Sequence, residues 1–203
     1  MFDTETFAEI ISLARQAGID PAALLAVTEV ESGGRALFDV NGVKEPAIRF
    51  EGHYFDRRLK GRIRDQARKA GLSAPEAGRV RNPKTQRERW LLLNRAMSIH
   101  KNAALESTSW GLGQVMGAHW EWLGYNSIDE LVREVRSSVG GQVRLMLNFI
   151  DKAGLKTELE RKDWRSFARR YNGPAFAHNQ YHTRLAAAFE RWNRSVGDLI
   201  KVA

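Results

Sequence analysis

The segment AVTEVESGG, residues 26–34, places a carboxylate where a helix ordinarily keeps an apolar side chain. Ile19-Asp20-Pro21 reads as a helix start: Asp20 can cap free N–H groups, Pro21 suits the first helical position, and Ile19 can pack on Leu24. Gly33-Gly34 reads as the stop. At about 100° per residue, Leu24 and Val27 flank an apolar stripe with Glu31 between them, while Glu29 points almost the opposite way, beside Ala22 and Leu25. Desolvation on such a stripe and the negative end of the helix dipole both disfavour an ionised carboxyl. A carboxyl kept protonated near neutral pH can serve as a general acid. The same glutamate could also bend to solvent or cap a nearby N–H.

A partner carboxylate is available at Glu51. In AIRFEG, residues 47–52, Ile48 and Phe50 share one strand face while Arg49 and Glu51 share the other. One hairpin separates this strand from Glu31, so the two glutamates could flank one cleft. Cleavage of a glycosidic bond needs such a pair, one acid to protonate the leaving oxygen and one carboxylate to activate water or attack. Separations of about 5 Å or of about 6.5–9.5 Å would give retention or inversion respectively. Asp39 competes for the second role, and Glu51 could simply pair with Arg49 or His53.

Other signals are weaker. Gly111-Leu112-Gly113 with Gly117 misses the dinucleotide-loop spacing by one residue and lacks a βαβ context. His178 and His182 lie four apart, but Asn179 stands where a zinc protease has glutamate and no third ligand is evident, so no metal site is expected. The basic 57–89 segment lacks the interleaved aromatics of a nucleic-acid surface and reads as a solvated face.

The elements that must position Glu31 and Glu51 are mostly helical. Apolar spacing predicts helices over about Thr4–Ala17 and Pro21–Glu31, and over about Lys84–His100 with Trp90, Leu93 and Met97. Between them, Asn41-Gly42 marks a turn between short β-prone runs. Ser127 and Glu130 suggest a capping box opening a helix interrupted at Gly140-Gly141. Asp163 caps a helix through Tyr171, Asn172-Gly173-Pro174 breaks it, and a last helix covers about Ala177–Asn193. Trp110, Trp120 and Trp122 are read first as core. The last helix is basic and amphipathic and could touch a membrane, but Leu185, Phe189 and Trp192 on its apolar side are read first as core.

At 203 residues with 43% hydrophobic content, one globular domain spanning 1–203 is expected. No apolar run approaches the roughly 20 residues of a membrane helix, and the acidic start MFDTETFAEI is unlike a secretory signal. The absence of cysteine excludes disulfides, thiolate nucleophiles and Cys-based zinc sites. A net charge of +8 and a pI near 10.0 draw the chain toward polyanions without choosing among them.

Four ordered motifs, VESGG, AIRFEGHYF, SWGLGQVMG and FARRYNGPAF, together resemble the N-acetylmuramidase domain of tailed-phage endolysins, over about Phe7–Trp192. VESGG, GLGQVM and YNG also look like the wider goose-type lysozyme and lytic transglycosylase group. The resemblance implies a mainly α, lysozyme-like fold with a small β-hairpin region in the N-terminal third. It implies peptidoglycan glycan strands as substrate, cut at the β-1,4 bond between N-acetylmuramic acid and N-acetylglucosamine. Glu31 matches the family's general acid and Glu51 its second glutamate. Ser109, Gln114, Met116, Tyr171 and Asn172 match cleft-lining positions, Gln114 within a helix start, and Ser32 with its glycines would let the glycan approach the backbone. About three extra residues near Asn41–Glu45 lengthen the hairpin before Glu51. No cofactor, no nucleic-acid partner, no separate wall-binding domain and a monomer are expected. The protein would accumulate in the host cytoplasm before reaching the wall, its charge helping it onto anionic wall or outer-membrane surfaces. Two rival functions remain: a lytic transglycosylase giving 1,6-anhydromuramyl ends, and a non-catalytic basic module for wall or DNA.

Overall fold

The computed structural model describes residues 2–177 and 179–202. The chain opens with α1 (Thr4–Gln16), capped by Asp3, which accepts from Thr6 N at 2.8 Å. Helix α2 (Pro21–Ser32) is capped by Asp20 through Ala22 N at 2.9 Å and ends at Gly33, whose φ of 68° lets its N–H reach Glu29 O at 2.8 Å. Strands β1 (Leu37–Val40) and β2 (Val43–Pro46) form a hairpin turned by Asn41 and Gly42, both at positive φ. Strand β3 (Ile48–Phe50) follows, then α3 (Gly52–Arg58), α4 (Gly61–Lys69) and the long α5 (Gln86–Glu106). A Thr85–Glu88 capping box that the sequence reading overlooked starts α5.

Helix α5 does not stop at His100 as expected. His100 takes extended angles (φ −157°, ψ 98°), kinking the helix, which resumes to Glu106. A second sheet was also missed: β4 (Thr108–Trp110) pairs antiparallel with β3 and with β5 (Val115–Met116). The GLGQVM segment is therefore a tight turn entering a strand, not a helix start. Gly111 at φ 67° and Gln114 at φ 47° reverse the chain between β4 and β5, and Gly113 lies so close to Met146 that a Cβ would come within 2.7 Å.

Helices α6 (Ile128–Ser137) and α7 (Val139–Lys152) meet at Ser138, held extended, and not at the two glycines. Ser138 caps α7 through Gly141 N at 3.0 Å, while Gly140 and Gly141 form its first turn. Only half of the expected capping box forms at α6. Ser127 accepts from Glu130 N, but the Glu130 carboxylate turns to Asn126 N at 2.7 Å. The glycines serve packing: a methyl on Gly141 would overlap the Glu134 carbonyl oxygen, one on Gly140 only the movable Glu9 carboxylate. Gly141→Ala is therefore expected to cost ~2 kcal/mol, a fall of roughly 4–8 °C in Tm, and Gly140→Ala clearly less. Equal melting temperatures for the two variants would refute that packing argument.

Helices α8 (Lys156–Glu160), α9 (Trp164–Asn172) and α10 (Tyr181–Val202) complete the chain. Helix α10 starts later and runs further than expected; His178 lies outside the described residues. Among the described residues no cluster of three His, Cys, Asp or Glu could hold a metal, and no helix is long and apolar enough to cross a membrane. Leu185 and Trp192 of α10 are buried.

Two apolar cores result. One gathers α1, α2, α7, α9 and α10; the other gathers β3, α3, α5, β4 and α6, and Phe149 packs against both. Helix α2 is enclosed on nearly every side, so the expected stripe is too narrow a picture. Leu25 is as buried as Leu24, and Glu29 accepts from Trp192 Nε1 at 2.7 Å and pairs with Arg191 at 2.5 Å, both on α10.

Candidate functional site

The C-terminal end of α2 meets the polar face of the three-stranded sheet where the two cores adjoin. Cross-strand register aligns Arg49, Ser109 and Met116 in one row, while Ile48, Trp110 and Val115 form the buried row behind it. A cleft of about 750 Å³ opens there, lined by Glu31, Arg49, Glu51, Arg89, Ser109, Gln114, Tyr171, Asn172, Asn179, Tyr181 and Arg184. Six of the eight expected site residues thus come together, from four separate stretches of chain.

Glu31 and Glu51 have unlike surroundings. Burial pushes the Glu31 carboxyl from an ordinary 4.5 up to about 7. Two weaker effects oppose it: Asn172 Nδ2 donates to Glu31 Oε1 at 2.6 Å, and the Arg184 charge favours the ionised form. Glu51 lies just past the end of β3, at the N-cap of α3; its backbone N–H donates to Ser107 O at 2.8 Å. Arg49 Nε donates to Glu51 Oε1 at 2.7 Å, and His53 Nδ1 lies 3.6 Å from the other oxygen. One carboxyl is therefore desolvated and the other cation-flanked, the arrangement that divides acid and base roles between two like groups.

The cleft walls are braced. Tyr171 stacks on Phe167 at 5.1 Å, and its hydroxyl donates to Gly113 O at 2.7 Å, tying α9 to the β4–β5 turn. Gln114 Nε2 closes the same turn on Gly111 O at 2.8 Å. Asn172 Oδ1 is buried without a hydrogen-bond partner, an acceptor left open beside the acid.

Ser32 and Met116 are not among the lining residues. The Ser32 hydroxyl donates to Thr28 O at 2.6 Å and accepts from Gly34 N at 3.1 Å, so it finishes the helix. The Met116 sulfur accepts from Ser109 Oγ at 3.0 Å and supports that serine from the next strand. Asp39 sits on the hairpin, where it accepts from Gly42 N at 3.0 Å with its side chain 57% exposed, and it is not among the residues lining the cleft. Trp110 is fully buried, but Trp122, expected in the core, is 46% exposed.

Sequence reasoning did not name Arg49, Arg89, Asn179, Tyr181 or Arg184 as cleft residues. Arg49 had a signal, since it shares the strand face of Glu51. Arg89 had none; it reaches the site because its guanidinium bonds Pro83 O and, 41 positions back, Ile48 O.

A family model described as N-acetylmuramidase matches residues 20–193. Among solved structures, the crystal structure of the Burkholderia AP3 phage endolysin is similar, with a TM-score of 0.78 and 33% sequence identity, covering 93% of this chain and 71% of that one. No curated protein matches.

Proposed function

Because this chain belongs to the N-acetylmuramidase family, we propose that it is a peptidoglycan-hydrolysing endolysin that cuts the β-1,4 bond between N-acetylmuramic acid and N-acetylglucosamine. The observation that carries the reading is a carboxyl raised to about 7 at a helix end, sharing one cleft with a second carboxylate. Glu31 protonates the leaving glycosidic oxygen, and Glu51 activates water or attacks the anomeric carbon. Gln114 and Asn172 supply amide donors and acceptors suited to N-acetyl groups, and Ser109 adds a hydroxyl on the cleft floor. In this reading the protein gathers in the host cytoplasm and meets the wall once a membrane-permeabilising partner has acted.

Mass spectrometry of digested muropeptides tests the reaction. Reducing ends, heavier by one water than 1,6-anhydro ends, are expected, because Glu51 is present to deliver that water. Predominantly anhydro products would make the protein a lytic transglycosylase and leave Glu51 without its role.

Activity requires protonated Glu31, so it is expected to fall as pH rises through about 7. Removing the Asn172 amide takes away a bond that favours the ionised form. Asn172→Ala should therefore move the alkaline limb upward even as it lowers kcat/KM. A limb that stays in place or moves down would separate Asn172 from the titration of Glu31.

A further inference from the structure

Three arginines, Arg49, Arg89 and Arg184, line the cleft with the two glutamates. Arg49 is paired with Glu51. The other two form no ion pair among the described residues: Arg89 bonds Pro83 O at 2.9 Å and Ile48 O at 3.3 Å, and Arg184 bonds Val30 O at 3.2 Å and lies over the Tyr181 ring at 5.6 Å. Arg89 is half-buried, and Arg49 stands close enough for the two charges to repel; burial and that repulsion hold Arg89 below the ordinary arginine value. With Glu31 protonated, the cleft holds an excess of two positive charges.

That excess does nothing for acid catalysis on a neutral sugar. The Arg184 charge works against the protonated form of Glu31, and two guanidiniums crowded in one wall cost energy while no anion lies between them. A planar guanidinium fork does, however, match a carboxylate, and partial desolvation strengthens the match. A wall glycan differs from a neutral N-acetylglucosamine polymer in bearing acids: the carboxylates of the peptide stem joined to a muramic acid's lactyl group, or the lactyl carboxylate itself where no stem is attached.

We propose that Arg49 and Arg89, together with Arg184, form an anion subsite that binds a carboxylate carried on the lactyl side of the muramic acid. The subsite makes the cleft selective for acidic wall glycan over neutral glycan. This rests on the glycan reading of the site, so the test measures binding without turnover.

In the Glu31→Gln protein, calorimetry would compare four tetrasaccharides. One carries peptide stems with free carboxylates, one carries the same stems fully amidated, one is stripped of stems so that the lactyl carboxylate is free, and one is neutral chitotetraose. At least one of the two acidic ligands is expected to bind tenfold or more tighter than both neutral ones, and which does so tells stem carboxylate from lactyl carboxylate. Arg89→Gln should erase most of that advantage. Because Arg89 also holds two carbonyls, the exposed Arg49→Gln provides the same readout if the first variant is misfolded. Raised salt should shrink the advantage as well. Equal affinity for all four ligands, or an advantage that survives Arg49→Gln with Arg184→Gln, would overturn the subsite while leaving the hydrolase reading standing. Binding of none of the four would sink both.

Discussion

Glu31→Gln is expected to abolish clearing of peptidoglycan, with a loss of at least about 1,000-fold, while the fold persists. Glutamine keeps the size of the side chain and can still take part in a hydrogen bond with Asn172, but it has no proton to give a leaving oxygen. The same variant should be more stable than the parent above pH 7. A carboxyl at about 7 when folded and 4.5 when unfolded keeps its proton in the native state after the unfolded chain has released it. Native stability therefore falls as pH rises from 4.5 to about 7, and the ionised, buried group then costs up to ~3 kcal/mol. Removing it should leave the melting temperature unchanged at pH 4 and raise it at pH 8. Wild-type clearing by the variant would end the assignment of the acid. An identical melting temperature at pH 8 would show that the group is not desolvated.

The second large effect is expected at Glu51. Glu51→Gln keeps the partner for Arg49 but removes the base or nucleophile, so hydrolysis should fall by about 100-fold or more. Asp39→Asn is the comparison. Its carboxylate caps the Asn41-Gly42 turn, accepting from Gly42 N at 3.0 Å on the exposed hairpin, and an amide oxygen can do the same. Its activity should stay within roughly twofold of the parent. Initial rates on purified cell walls at matched pH decide between them. A mild effect at Glu51 would leave one catalytic carboxyl in the cleft and favour transglycosylase chemistry.

Parts of this arrangement could be read from the chain because their causes are local. Asp20, Pro21 and the Gly33 stop act within four residues, so the bounds of α2 follow from residue type, and with them the position of Glu31 at the last turn. The alternation in β3 likewise put Arg49 and Glu51 on one face before any partner strand was known. The β4–β5 hairpin could not be read in this way. The family resemblance implied a helix start there, and only pairing with β3, some 60 positions earlier, makes the segment a strand. Gly140-Gly141 misled for a related reason. Two glycines in series suggest a break, but the close approach of the Glu134 carbonyl demands Gly141 inside a helix.

The acid's address along the chain, its position at a helix end and the strand face of its partner were matters of sequence, since propensity, capping and alternation operate over a few residues. Whether Glu31 would be desolvated, and what would stand beside it, depended on distant segments: Asn172 lies 141 positions away, and Arg184 and Arg89 arrive on other helices. Burial and Coulomb interactions act through space, and space is allotted only when the two cores pack against each other.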